Sequence, residues 1–78
     1  LAVEVISDSE RSSDIQTKVD RYLRAGTSTV WCVYPEKREI VVHSLSQPRV
    51  VLSGSDSLDG GELLPGLSVS LATIFDEE

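Results

Sequence analysis

Apolar and polar positions recur along this chain with two periods, and each period predicts an element. The opening stretch, Leu1-Ala2-Val3-Glu4-Val5-Ile6-Ser7, reads as a strand. Side chains alternate with period 2, so Val3 and Val5 share one face while Ala2, Glu4 and Ile6 share the other. Both faces are apolar apart from Glu4, the pattern of a central parallel strand; the competing reading is an edge strand that leaves Glu4 half exposed. After a polar run, Ile15, Val19, Tyr22 and Leu23 fall at i, i+4, i+7 and i+8, one stripe of a helix. The helix is predicted over 13–25. Ser13 is its N-cap, Gln16 closes a capping box, Asp14 and the pair Arg21 and Arg24 complement the dipole, and Gly26 stands at C′.

Thr29–Tyr34 is rich in β-branched and aromatic residues and predicts a second strand. Pro35–Arg38 is a turn, and Glu39–Ser44 returns as the second arm of a hairpin. The first strand, the helix and Thr29–Tyr34 form a βαβ unit with parallel strands. Arg49–Leu52, after Pro48, predicts a further antiparallel strand. Residues 53–61 read as a solvated Ser/Gly/Asp loop, and Leu63–Leu67 as a turn with apolar flanks. Val69, Leu71, Ile74 and Phe75 predict a short strand or a helical turn, and Asp76-Glu77-Glu78 a frayed acidic tail. The expected fold class is α/β: a mixed sheet with a βαβ unit followed by antiparallel strands.

At 78 residues the chain has room for one small domain, without repeats. No run of about 18 apolar residues exists to span a membrane, and no signal peptide is visible. The single Cys32 excludes an internal disulfide framework and a cysteine zinc cluster, and is compatible with a reducing cytoplasm. A net charge of −6 argues against nucleic-acid binding by bulk charge, so contact with phosphates has to be local or metal-assisted. The chain lacks Met and starts inside an apolar strand, which predicts the C-terminal part of a longer domain whose N-terminal part is absent.

The carboxylate in the first strand changes the picture most. An unpartnered buried charge costs several kcal/mol, roughly, so Glu4 needs a cation from the fold or a metal ion. Ligands gather outside the C-terminal ends of parallel strands. Lys18 lies about 60° from the centre of the helix stripe, at 100° per residue, where its ammonium can reach over the sheet toward Glu4. A strand carboxylate beside a lysine is what metal-dependent phosphodiester cleavage needs. The carboxylate helps to hold Mg²⁺, and the lysine stabilises developing charge or orients water. The competing reading of Lys18 is an i,i+4 surface pair with Asp14. His43 has no nucleophile at motif spacing, Cys32 reads as a buried thiol, and Gly60-Gly61 lacks the strand–helix context of a phosphate cradle. Lys18 and Arg21 share a flank of the helix and make a small basic patch.

The series Val3-Glu4-Val5-Ile6-Ser7, Asp14, Lys18, Tyr22, Ala25-Gly26, Trp31, Val33, Pro35 and Leu64-Pro65-Gly66-Leu67 resembles the C-terminal half of the Uma-two family. These bacterial proteins are described as restriction endonucleases of the PD-(D/E)XK superfamily. The resemblance covers nearly the whole chain. It implies a partial restriction-endonuclease-like core, a Mg²⁺ (or Mn²⁺) cofactor and a DNA substrate. It makes Glu4 the acidic metal ligand of the (D/E)XK motif, with the carbonyl of Val5 completing the metal shell. The motif's lysine falls at Ile6, which cannot do that work, and Lys18 matches the helix position to which the family's lysine has moved. The other acidic ligands lie upstream. Tyr34-Pro35 stands where the family commonly has Asp-Pro, and no proline follows Ser7. Homodimers are usual among nucleases that cut both strands.

Two functions follow. The first is a metal-dependent DNA endonuclease with Glu4 and Lys18 catalytic, of which this piece alone is inactive. The alternative is a non-catalytic module that self-associates through the sheet edge of the hairpin. A Lys18 ammonium within about 5 Å of the Glu4 carboxylate favours the first, since that is the reach of a close ion pair. Pairing with Asp14 favours the second.

Overall fold

The computed structural model describes residues 1–75. The acidic tail expected at 76–78 lies outside the described residues. Four strands form one mixed sheet: β1 (Ala2–Val5), β2 (Thr29–Tyr34), β3 (Glu39–Ser44) and β4 (Val50–Ser53), in the order β1-β2-β3-β4. β1 runs parallel to β2 with Glu4 opposite Cys32, and the other pairs are antiparallel. The helix α1 (Ser12–Arg24) is the crossover that makes the parallel pair possible. The mixed α/β class expected from the sequence is therefore the one observed.

Alternation along the strands splits the core in two. On one face Ile6, Val30, Cys32 and Val41 bury against Val19 of α1, with Ile15, Tyr22 and Leu23 packed around them. On the other face Trp31 and Ile40 bury against Leu58, Leu71 and Phe75. The cover on that second face is a two-stranded sheet, β5 (Ser57–Asp59) with β6 (Ser68–Ser70), and the short helix α2 (Leu71–Phe75).

Several details depart from the sequence expectations. Of the two readings of β1, central or edge, the described residues take the edge one, and Val3 and Val5 are 52% and 67% exposed. Among the described residues the β2–β3 hairpin lies in the middle of the sheet and offers no edge for self-association; the edges there are β1 and β4. Helix α1 begins one residue early, and its N-cap, Arg11, makes no side-chain capping bond. Ser13 is inside the helix, where its carbonyl accepts from the Thr17 hydroxyl, while Gln16 donates to Asp20 instead of reaching back. The C-terminus does follow expectation. Gly26 takes φ 103°, its N–H donates to Leu23, and Thr27 N–H donates to Tyr22, the paired bonds of a Schellman motif.

The loop expected over 53–61 contains β5, because Leu58 buries at 6% exposure beneath the large sheet. Gly60 is buried beside it, and a Cβ there would strike the Leu64 carbonyl and the Leu64 and Leu67 side chains. The C-terminal apolar run is both of its alternatives in succession: strand β6, then helix α2.

Candidate active site

Glu4 points to the α1 face of β1, on the same side as Ile6, and its side chain is 22% exposed. Two residues of α1 reach it from above. The Tyr22 hydroxyl donates a 2.6 Å hydrogen bond to Glu4 Oε2. Lys18 Nζ lies 3.5 Å from Glu4 Oε1. Lys18 and Tyr22 are four residues apart, so one helix face presents both over the strand.

A second carboxylate closes the other end. Glu10, in the turn after β1, accepts a 3.2 Å hydrogen bond from Lys18 Nζ at Oε2. The turn itself is fixed by Glu10 N–H donating to the Ser7 carbonyl at 3.1 Å and Ser7 N–H donating to Glu10 Oε1 at 3.4 Å. The result is a chain of contacts, Tyr22–Glu4–Lys18–Glu10. Lys18 makes no ion pair with Asp14 among the described residues.

The electrostatics follow from these contacts. The Tyr22 hydrogen bond holds the Glu4 carboxyl below its usual range; partial burial opposes this and the Lys18 charge assists it. The Glu10 hydrogen bond and charge, with Glu4 behind them, push the Lys18 ammonium up, so it stays protonated at neutral pH. Tyr22 is pushed up by donating to Glu4. Lys18 can therefore stabilise negative charge or orient water, and is not a general base in this arrangement.

Glu4, Lys18, Arg21, Tyr22 and Ala25 line an open hollow of about 440 Å³. Arg21 is exposed there, one turn from Lys18, and forms no ion pair among the described residues. The basic flank read from the sequence is thus the wall of the hollow over Glu4.

The donor set suits a hard cation in part. Ile6 N–H donates to the Val33 carbonyl at 2.8 Å. In a parallel pair the residues facing the neighbour alternate, so Val5 turns its own carbonyl to the side of β1 that no described strand occupies. A carboxylate and a free carbonyl are oxygen ligands of the kind Mg²⁺ and Mn²⁺ take. Two protein donors do not enclose an ion, and no group of three metal-ligating side chains occurs among the described residues.

The other polar candidates take no part in this chain of contacts, although Cys32 lies opposite Glu4 across the β1–β2 pair. His43 is buried on β3 and pushed down by burial and by Arg49. It faces another groove, of about 340 Å³, between the start of α1 and the β3–β4 face, which Glu10 also lines. Cys32 is a buried free thiol, pushed up by burial, and is inert on that account. Sequence reasoning missed the hydroxyl of Tyr22, whose ring satisfies the apolar stripe by itself. It also missed Glu10, which sits in a loop where no periodicity marks it. Spacing held one signal, since Tyr22 follows Lys18 by four residues.

Among solved structures, the chain is similar to a crystal structure of a "putative nuclease belonging to DUF820" from Anabaena variabilis. The TM-score is 0.81 at 19% identity, over 94% of this chain and 41% of that one. At that identity the likeness shows the shared fold, and the chain spans less than half the length of that protein. No curated protein matches the chain. Residues 1–72 match the Uma2 family, whose description is "Putative restriction endonuclease". That match takes in β1, α1 and the whole mixed sheet with the Glu4–Lys18 pair, and the chain belongs to the Uma2 family.

Proposed function

We propose that this chain supplies part of the active site of a divalent-metal-dependent DNA endonuclease. The observation that carries the reading is the Lys18 ammonium 3.5 Å from a strand carboxylate, in an open hollow with a second cation, Arg21. Glu4 and the Val5 carbonyl would hold Mg²⁺ or Mn²⁺, with water, a phosphate oxygen and further carboxylates filling the remaining positions. When bound, such an ion polarises the phosphodiester and lowers the pKa of a bound water. Lys18, kept protonated by Glu10, would support the negative charge that builds on the phosphoryl oxygens as a water oxygen bonds to phosphorus and the P–O bond to the leaving alkoxide, which takes up a proton, breaks. Arg21 is placed to hold a neighbouring phosphate of the DNA backbone. The acidic balance of the chain fits binding through such local contacts rather than through a basic surface.

The test is calorimetric titration of Mn²⁺ into the full-length protein, wild type beside Glu4→Ala. Saturable binding that is lost in the variant is the expected result. Equal affinity in the two would remove Glu4 from the metal site and with it the nuclease assignment.

A further inference from the structure

We infer that Tyr22 is a positioning residue: its hydroxyl fixes the Glu4 carboxylate in the orientation that receives the metal ion. The inference rests on the nuclease reading above and adds to it a residue outside the metal's own ligands.

The geometry separates the two partners of Glu4. Lys18 lies 3.5 Å away and is shared with Glu10, which it approaches more closely at 3.2 Å. A shared ammonium imposes little direction on a carboxylate. The Tyr22 contact is different. At 2.6 Å it falls in the range of charge-assisted O–H···O⁻ bonds, which are short and roughly twice as strong as neutral ones. Its donor is also rigid. The Tyr22 ring packs against the core cluster beneath α1, so the position of the hydroxyl is set by the fold.

Glu4 needs such a constraint. Among the described residues it stands on an edge strand, its side chain has three rotatable bonds, and the hollow in front of it is open. A carboxylate offers about four lone-pair sites. Tyr22 takes one on Oε2, and the others stay directed at the hollow and at Lys18. Packing alone does not call for the hydroxyl, because a phenyl ring fills the same place in the helix stripe. The oxygen is what links the core of the domain to the orientation of the metal ligand. Partners that orient ligating carboxylates in this way commonly change metal affinity about 10–100-fold when removed.

The test is Tyr22→Phe in the full-length protein, read by Mn²⁺ calorimetry, by the electron paramagnetic resonance line shape of bound Mn²⁺, and by thermal unfolding in metal-free buffer. The expected result is affinity about tenfold weaker with an altered Mn²⁺ line shape and an intact unfolding transition. Unchanged affinity and line shape in a protein whose wild type binds Mn²⁺ would overturn the role of Tyr22 and leave the nuclease reading standing. A wild type that binds no Mn²⁺ would overturn both.

Discussion

The two faces of the central sheet do different jobs with the same strands. Under β5, β6 and α2 the sheet closes an apolar core, where Trp31 and Ile40 meet Leu58, Leu71 and Phe75, while Val3 and Val5 at the β1 end of the same face stay exposed. The α1 face is also packed at its centre, around Val19, Val30 and Cys32, but polar groups interrupt it at Glu4 and His43. The first face contributes area removed from water, at about 25 cal/mol per Å² of apolar surface. The second gives up part of that area so that a carboxylate, an ammonium and a phenol can meet within hydrogen-bond reach. A substitution on the first face is therefore expected to change stability and leave the site's chemistry alone, and a substitution in the Tyr22–Glu4–Lys18–Glu10 chain to change the site's chemistry with only a small effect on stability.

Ile40→Ala gives the largest effect and the sharpest break. Ile40 is 1% exposed at the heart of the closed face. Truncation leaves a cavity, and a loss of about 2–5 kcal/mol in urea unfolding is expected. Mn²⁺ affinity of the folded variant should match the wild type. A change in metal affinity comparable to that of Tyr22→Phe would mean that the two faces are not separable.

Gly60→Ala probes the lid of the same face. An added Cβ meets the Leu64 carbonyl and the Cβ atoms of Leu64 and Leu67, which are fixed to the chain and leave little room to yield. Gly60 N–H donates to the Leu67 carbonyl at 2.9 Å and its own carbonyl accepts from Leu64 at 3.1 Å, so the site is tied down. Overpacking of this kind costs about 1–3 kcal/mol. Hydrogen exchange should show the loss concentrated in β5, β6 and α2. Loss spread evenly over β1 and α1 instead would show that the small sheet is not a separate cover.

The sequence made these two faces unequally legible. β2 and β3 were readable to the residue, because six-residue runs of Val, Ile, Trp and Tyr between turn residues carry a strong strand signal. β5 was not, because Ser57-Leu58-Asp59 contains one apolar residue and cannot show a period. Its burial comes from pairing with β6, a partner nine residues or more away. The choice between a central and an edge position for β1 stayed open for a related reason. Val3 and Val5 are apolar, and alternation does not say whether an apolar face is covered in this chain. On the α1 face, strand alternation and helix phase together were enough to bring Glu4 and Lys18 within reach of each other. They could not reveal what the Tyr22 hydroxyl does, since a ring in an apolar stripe explains itself. Glu10 depends on the turn between Ser7 and Glu10, whose shape comes from hydrogen bonds and not from pattern.

The smallest effect lies in the pH dependence of the polar face, and it tests whether the chain of contacts persists in solution without metal. The Tyr22 hydrogen bond, opposed by partial burial and aided by Lys18, holds the Glu4 pKa below its ordinary value of 4.5. A lowered folded-state pKa means that the ionised form favours the folded protein. The stabilisation from Glu4 is then fully present above pH 4.5 and is lost as pH falls through the lowered folded value. Metal-free wild type and Glu4→Gln, compared by urea midpoints over a pH series, should differ by a constant amount at neutral pH. The gap should narrow only on the acid side of 4.5. Ile40→Ala, on the closed face, should run parallel to the wild type through the same range, because its loss is apolar and does not titrate. A gap that stays constant to the acid end would show that Glu4 is not held by Tyr22 and Lys18 in solution. The polar face would then have given up apolar area without gaining an ordered carboxylate in return.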